Sequence, residues 1–282
     1  MVSTSLILKT IVVNTVFAAL ALGQYHLLSE AFLEYGFGAI LVAIICGVTL
    51  LKNYLVLGMV MFYGFFFEWN NAERRQKPIE EFFGEFHVYT WSTALIESLT
   101  VVGLTLIFPF SFSPVNFQDY VLFFPIMFLF EVVFDFFHYW AHRISHLGAL
   151  YKNFHKIHHR HKYPTAITTF YQDPVDLIIS NSIPTTIAFG IVMVMLGIPI
   201  SFFQLSLISS WKTVIEIAGH LGKRLAPASS FPQFVWLAKW LGWELYIEDH
   251  DLHHSNFNCN YSKRFGLWDR VFGTYVKPKS LS

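Results

Sequence analysis

The chain has 282 residues, of which 54% are hydrophobic and only 13% charged, with a mean hydropathy of +0.47. An ordinary soluble domain carries about 25% charged residues, so this is a membrane composition. Nineteen Lys and Arg balance nineteen Asp and Glu, which excludes nucleic acid as a partner, and two distant cysteines, Cys46 and Cys259, exclude a disulfide framework or a thiolate metal site.

In chain order, Leu6 to Leu22 is the first stretch long enough to span a bilayer, with Lys9 placed to snorkel to its interface. Its Ala-Leu-Ala-Leu-Gly end also fits a cleavage site, but an uncleaved anchor agrees with the membrane character of the rest. Gly36 to Phe67 is interrupted by Lys52 and Asn53, which leaves one long helix or a shallow pair open. Thr93 to Phe110 and Tyr120 to Phe137 predict a hairpin of two spans, joined by a loop without Lys or Arg. Leu177 to about Glu216 has Lys212 as its only internal charge and is broken by Gly197 and Pro199, which predicts two more spans and a tight turn. Arg74, Arg75 and Lys77 place their loop in the cytosol, while Gln24 to Tyr35, with only Glu30 and Glu34 charged, is read as lumenal. Arg143, Lys152, Lys156, Arg160 and Lys162 put the segment after Phe137 in the cytosol too. The expected fold is all-α: a polytopic membrane helical bundle with a cytosolic helical cap carrying a histidine-rich dimetal site. Its expected parts are an N-terminal transmembrane region over residues 1–118, a catalytic domain over 119–275 and a short tail over 276–282.

The thirteen histidines carry the chemistry, and nine of them are patterned. His138 and His142 are four apart, so both rings share one helical face. His155, His158 and His159 follow an i, i+3, i+4 spacing whose two adjacent rings point apart, so such a triplet can reach two metals. His250, His253 and His254 repeat it, and His220 stands alone after the returning hairpin. A lone His-x-x-x-His is as well explained by helix-end hydrogen bonding; two triplets and a pair brought to one membrane face are not. Neutral nitrogen donors suit iron, zinc or copper rather than magnesium or calcium. His146 and His161 fall off the triplet spacing and are read as outer or surface groups, and His26 and His87 as unrelated. Asp135, Glu216 and Asp249 lie where carboxylates could accept the far N–H of a ligating imidazole, although Asp135 could equally pair with Arg143 or Lys156. Glu131, deeper in its apolar run, is costly there and suggests a function.

These boxes, with Pro164, the Gln172-Asp173-Pro174-Val175-Asp176 stretch, Asn260-Tyr261 and Leu267-Trp268-Asp269-Arg270-Val271-Phe272-Gly273-Thr274, resemble the fatty acid hydroxylase and sterol desaturase superfamily of membrane di-iron enzymes. The resemblance covers roughly Val121 to Tyr275 and is greatest to the methylsterol monooxygenase and cholesterol 25-hydroxylase-like branches. It implies two Fe ions, replaceable by zinc in a purified form, held by the nine patterned histidines with no catalytic residue beyond them. It further implies an endoplasmic reticulum location with the boxes facing the cytosol, and dioxygen-dependent hydroxylation of a lipid, foremost a sterol. No His-Pro-Gly-Gly haem motif occurs, so electrons would come from a separate donor such as cytochrome b5 with an NAD(P)H reductase. His220-Leu221-Gly222 departs from the His-Ser-Gly of the sterol branch, which leaves the exact substrate open. Desaturation at the same site, a histidine-based metal transporter and a zinc-dependent lipid hydrolase are the alternatives. The one glycosylation sequon, Asn260-Tyr261-Ser262, is expected in the cytosol and unmodified.

Overall fold

The computed structural model describes residues 4–65, 83–223 and 235–278, and the described residues are almost wholly helical, without a β-sheet. Arg74, Arg75 and Lys77 lie outside the described residues. Six long helices come first: α1 (Thr4–Tyr35), α2 (Ala39–Gly64), α3 (Phe83–Ile107), α4 (Phe117–Ser145), α5 (Pro174–Met195) and α6 (Phe202–Gly219). Three short ones follow: α7 (Val235–Leu241), α8 (Ile247–Ser255) and α9 (Leu267–Val271). Helices α2, α4 and α5, with Asn14–Tyr35 of α1 and Glu85–Ile107 of α3, are long and apolar enough to cross a membrane.

Within the Gly36 to Phe67 stretch, Ala39–Gly64 is a single helix, because Lys52 and Asn53 turn inward. There Lys52 Nζ donates to Ser209 Oγ (3.1 Å) and Asn53 Nδ2 to Glu97 Oε2 (3.2 Å). Gln24 to Tyr35, read above as a loop, continues α1. Its polar groups are taken up inside the bundle: Gln24 Oε1 accepts from Ser210 Oγ, and the Tyr25 hydroxyl donates to the Ser113 carbonyl at 2.8 Å. Of the two spans expected within Leu177 to Glu216, only the first, α5, is among the five helices long and apolar enough to cross a membrane; the second, α6, carries Lys212 and Glu216 and tolerates them because α1, α2 and α4 pack around it. An aromatic core binds these helices, with Phe17 on Trp211 (centroids 4.3 Å apart) and Phe130 on Phe189 (4.8 Å).

One end of the bundle is tied by backbone. Asn116 caps α4 by accepting from Asp119 N, Ser201 caps α6 by accepting from Gln204 N, and Phe202 N donates to the Ser111 carbonyl (2.8 Å). Helix α4 therefore runs away from this end, α5 returns to it, and α6 leaves it again. The C-terminal ends of α4 and α6 and the start of α5 meet at the opposite end, where the histidines are.

Candidate metal centre

Helix α4 carries His138 and His142 one turn apart and ends just before His146. Gly148, at φ +45, turns the chain back so that short helical turns place His155, His158 and His159 across the end of α4. His220 terminates α6, and α8 presents His250, His253 and His254. Nine of these imidazoles form two groups: His142, His146, His155, His159 and His253; and His158, His220, His250 and His254. Within each group, one ring nitrogen per residue lies within 4.8 Å of all the others. Both triplets divide between the groups, because adjacent helical residues point about 100° apart. His159 and His254, one from each, have ring centroids 4.7 Å apart.

The backbone sets the tautomers. The Nδ1–H of His142 donates to the Tyr261 carbonyl (2.8 Å), that of His253 to Cys259 (2.7 Å), that of His254 to His161 (3.1 Å), that of His220 to Glu216 (2.8 Å) and that of His138 to Ser180 (2.6 Å). His155 donates its Nδ1–H to the Asp176 carboxylate at 2.8 Å. A carbonyl only accepts, so the ring proton is on Nδ1 and the Nε2 lone pair is left pointing inward. These lone pairs crowd together: Nε2 of His250 is 2.9 Å from that of His220 and 3.1 Å from that of His254, and His155 stands 3.0 Å from His159. His142 Nε2 is buried without a hydrogen-bond partner. Converging acceptors of this kind fit a soft-to-borderline cation, and each group offers the four or more nitrogens that such an ion takes.

Burial, reinforced by neighbouring imidazoles, pushes His158, His159, His250, His253 and His254 well below the ordinary histidine value, and Lys263 adds to this at His250, His253 and His254. His146 and His220 are pushed down to about 3, first by burial and then by His155 and Lys263 respectively. The rings are therefore neutral at pH 7, the form a metal requires.

The structure brings eight of the nine patterned residues into the two groups, with two differences from the spacing. His138 stands outside both groups, although its ring is 5.3 Å from that of His142 and its buried Nε2 lacks a partner. His146, read above as an outer or surface group, is inside the first group. Its i+4 relation to His142 continues the His138–His142 face and was the available signal.

The three carboxylates expected beside imidazoles do other work. Asp135 accepts the backbone N–H groups of Lys263, Arg264 and Phe265 at 2.8–3.0 Å, Asp249 accepts from Tyr246 N at the start of α8, and the Glu216 side chain pairs with Lys263 at 2.9 Å. The carboxylate that does hold an imidazole is Asp176, from the stretch in which Asp173 caps α5 through Val175 N.

Asp269 accepts from Tyr261 N and Ser262 N. Together with Asp135 it clamps residues 259–265 so that the Cys259 and Tyr261 carbonyls face His253 and His142. Asn260, at φ +55, is buried there, with its Nδ2 donating to the Asp249 and Val276 carbonyls. In the folded chain its amide nitrogen is thus committed to those two carbonyls. Glu131, flagged above as costly, meets Arg264 at 2.6 Å, both fully buried.

Beneath the cage a cavity runs between α2, α3, α4, α5 and α6. His138, His142, His155 and His158 line its upper end.

A family model described as fatty acid hydroxylase matches residues 126–274, more than half of the chain. Among curated proteins, the chain is 29% identical to a fatty acid hydroxylase of Lecanicillium sp, over 65% of this chain and 52% of that one. It is 32% identical to a methylsterol monooxygenase of Aspergillus fumigatus (54% and 48%) and 29% identical to the cholesterol 25-hydroxylase of Homo sapiens (52% and 48%). The chain spans about half the length of the curated relatives it matches. No solved structure matches it significantly. The matched span encloses every histidine of the two groups, and on that match the chain belongs to the fatty acid hydroxylase family.

Proposed function

We propose that the protein is a membrane-embedded, dioxygen-dependent lipid hydroxylase, acting foremost on a sterol, with two iron ions at its histidine cage. The observation that carries this reading is the set of imidazoles whose Nδ1–H groups are fixed outward, leaving Nε2 lone pairs converging in two groups. His142, His146, His155, His159 and His253 would hold one ion and His158, His220, His250 and His254 the other, with His138 beside the first. Bound there, iron would supply the activation of dioxygen and the oxidation of an unactivated C–H bond. The relatives' names support a lipid or sterol substrate; the cytosolic, endoplasmic reticulum setting and a separate donor such as cytochrome b5 with its reductase complete the proposal.

The chain's own residues orient the ligands, exclude water and admit the lipid. Apolar access comes from the side: Ile96, Leu99, Gly103, Ile107, Ile178 and Thr186 line a groove on the seam between α3 and α5. That groove shares Thr100 and Leu104 with the inner cavity.

Iron-loaded protein in liposomes, supplied with reductant and a sterol, should form a product heavier by one oxygen atom, only when dioxygen is present. Alanine at His158 or His254 should abolish it. Full turnover in either variant, or turnover without dioxygen and reductant, contradicts the proposal; a product lacking two hydrogens would make the enzyme a desaturase.

A further inference from the structure

We infer that the two metal positions are unequal: the group of five histidines holds its ion firmly, whereas His158, His220, His250 and His254 hold theirs loosely because the Lys263 ammonium is set against His250. This rests on the two-ion reading and goes beyond it, since it makes filling of the second position the step that switches the enzyme on.

The first group offers five nitrogens and the second four. Anionic support is one-sided as well. Among the described residues, Asp176 is the only carboxylate paired with a cage imidazole, and its partner His155 belongs to the first group. A carboxylate on the far N–H makes the ligating nitrogen more basic and is worth about 10–100-fold in metal affinity. The anchored rings of the second group, His220 and His254, donate instead to the backbone carbonyls of Glu216 and His161, which carry no net charge.

Lys263 acts in the opposite direction to Asp176. Its Nζ lies 3.5 Å from Nε2 of His250, the nitrogen that converges with those of His220 and His254 at 2.9 and 3.1 Å. An ammonium has no lone pair, so it does not ligate; it stands beside the ligating nitrogen as a like charge to whatever cation is bound there. Glu216, 2.9 Å from Nζ, keeps the lysine charged. That carboxylate pairs with no cage imidazole, so the ammonium is the end of the ion pair turned toward the cage. The lysine is also fixed in place: its backbone N–H donates to Asp135 at 2.8 Å and its side chain is buried, so the charge does not swing out to water. A cation held this close at low dielectric weakens the binding of a metal ion by about tenfold or more. When metal is limiting the chain therefore carries one ion, in the first group, and oxidation that takes both ions begins once the second is filled.

The full chain in detergent, loaded with zinc and equilibrated against chelators of increasing strength, is analysed for metal per chain. Release should come in two steps, with a plateau at one ion per chain that spans about tenfold or more in free zinc. His220→Ala, which touches the second group alone, should abolish the weaker step and keep the tight ion. Lys263→Met should tighten the weaker step by about tenfold and leave the tight one in place, while Lys263→Arg, which keeps the charge, should show both steps as they were. Lys263→Gln makes the same comparison if the Met variant does not fold. With iron in place of zinc, lipid product should appear only as the second ion binds. A single release step at two ions per chain, loss of the tight ion in His220→Ala, or a folded Met or Gln variant whose weaker step does not tighten overturns the inequality and leaves the two-ion reading standing. Full turnover at one ion per chain overturns the switch. A chain that never takes more than one ion overturns the two-ion reading, and the inequality with it.

Discussion

Asp176 holds His155 in the tautomer that aims Nε2 at the first histidine group, with both side chains buried. Asp176→Asn should keep the fold while weakening metal retention at that group by about 10–100-fold, the usual weight of such a supporting contact; a chelator titration followed by metal analysis checks it, and unchanged retention would refute the role. Arg264 answers to a different test, since it is enclosed with Glu131 and also reaches Glu216. Arg264→Met strands buried carboxylates and should lower stability by about 3–5 kcal/mol, read as a drop in the melting temperature in detergent. Which histidines share a face was legible from spacing alone, because a helix fixes the direction of successive side chains. Which carboxylate supports them was not. Asp135 is three residues from a histidine, yet its oxygens serve the backbone 128 residues onward at Lys263, a tertiary choice that local spacing does not encode.

At the scale of elements, hydropathy located the spans but not their ends. The apolar run of α4 stops at Phe137, while the helix continues to Ser145 because its inward polar residues find acceptors on the 259–265 segment and on α5. Helix α1 likewise outlasts its apolar run as far as Tyr35, since Gln24 and Tyr25 bond within the bundle. The two π-helical stretches of α5, Ile178–Ser182 and Gly190–Met195, left no mark in the apolar pattern. The first ends at Ser182, whose hydroxyl meets that of Thr100 at 2.8 Å across the seam between the outer groove and the inner cavity. On the proposed route for lipid, that contact would have to open. Cysteines at both positions fall within reach of a disulfide, so Thr100→Cys with Ser182→Cys should turn over normally when reduced and lose most of its lipid turnover when oxidised. Either single variant should ignore the oxidant. An oxidised double variant that works at the reduced rate would send the lipid by another path.

Among the described residues, cations gather around the histidine end, whereas the connections at the other end carry none. Arg143, Lys152, Lys156, Arg160 and Lys162 surround the histidine end, whereas the connections over residues 108–116 and 196–201 contain no Lys, Arg, Asp or Glu. The Ser111–Ser201 bridge holds those two connections together, so they share one side of whatever membrane the bundle crosses. Translocating five cations costs far more than translocating none, and this asymmetry stands without the 66–82 segment. Lys162 and Gln118 are exposed at opposite ends, while Cys259 is buried and Cys46 lies within α2. With Cys46 replaced by serine, Lys162→Cys should therefore react with a membrane-impermeant maleimide added to sealed endoplasmic reticulum vesicles whose cytosolic face is outward. Gln118→Cys should react only after the vesicles are permeabilised. The reverse pattern would put the cage in the lumen, out of reach of a cytosolic electron donor, and a reductant would then have to be sought on the other side.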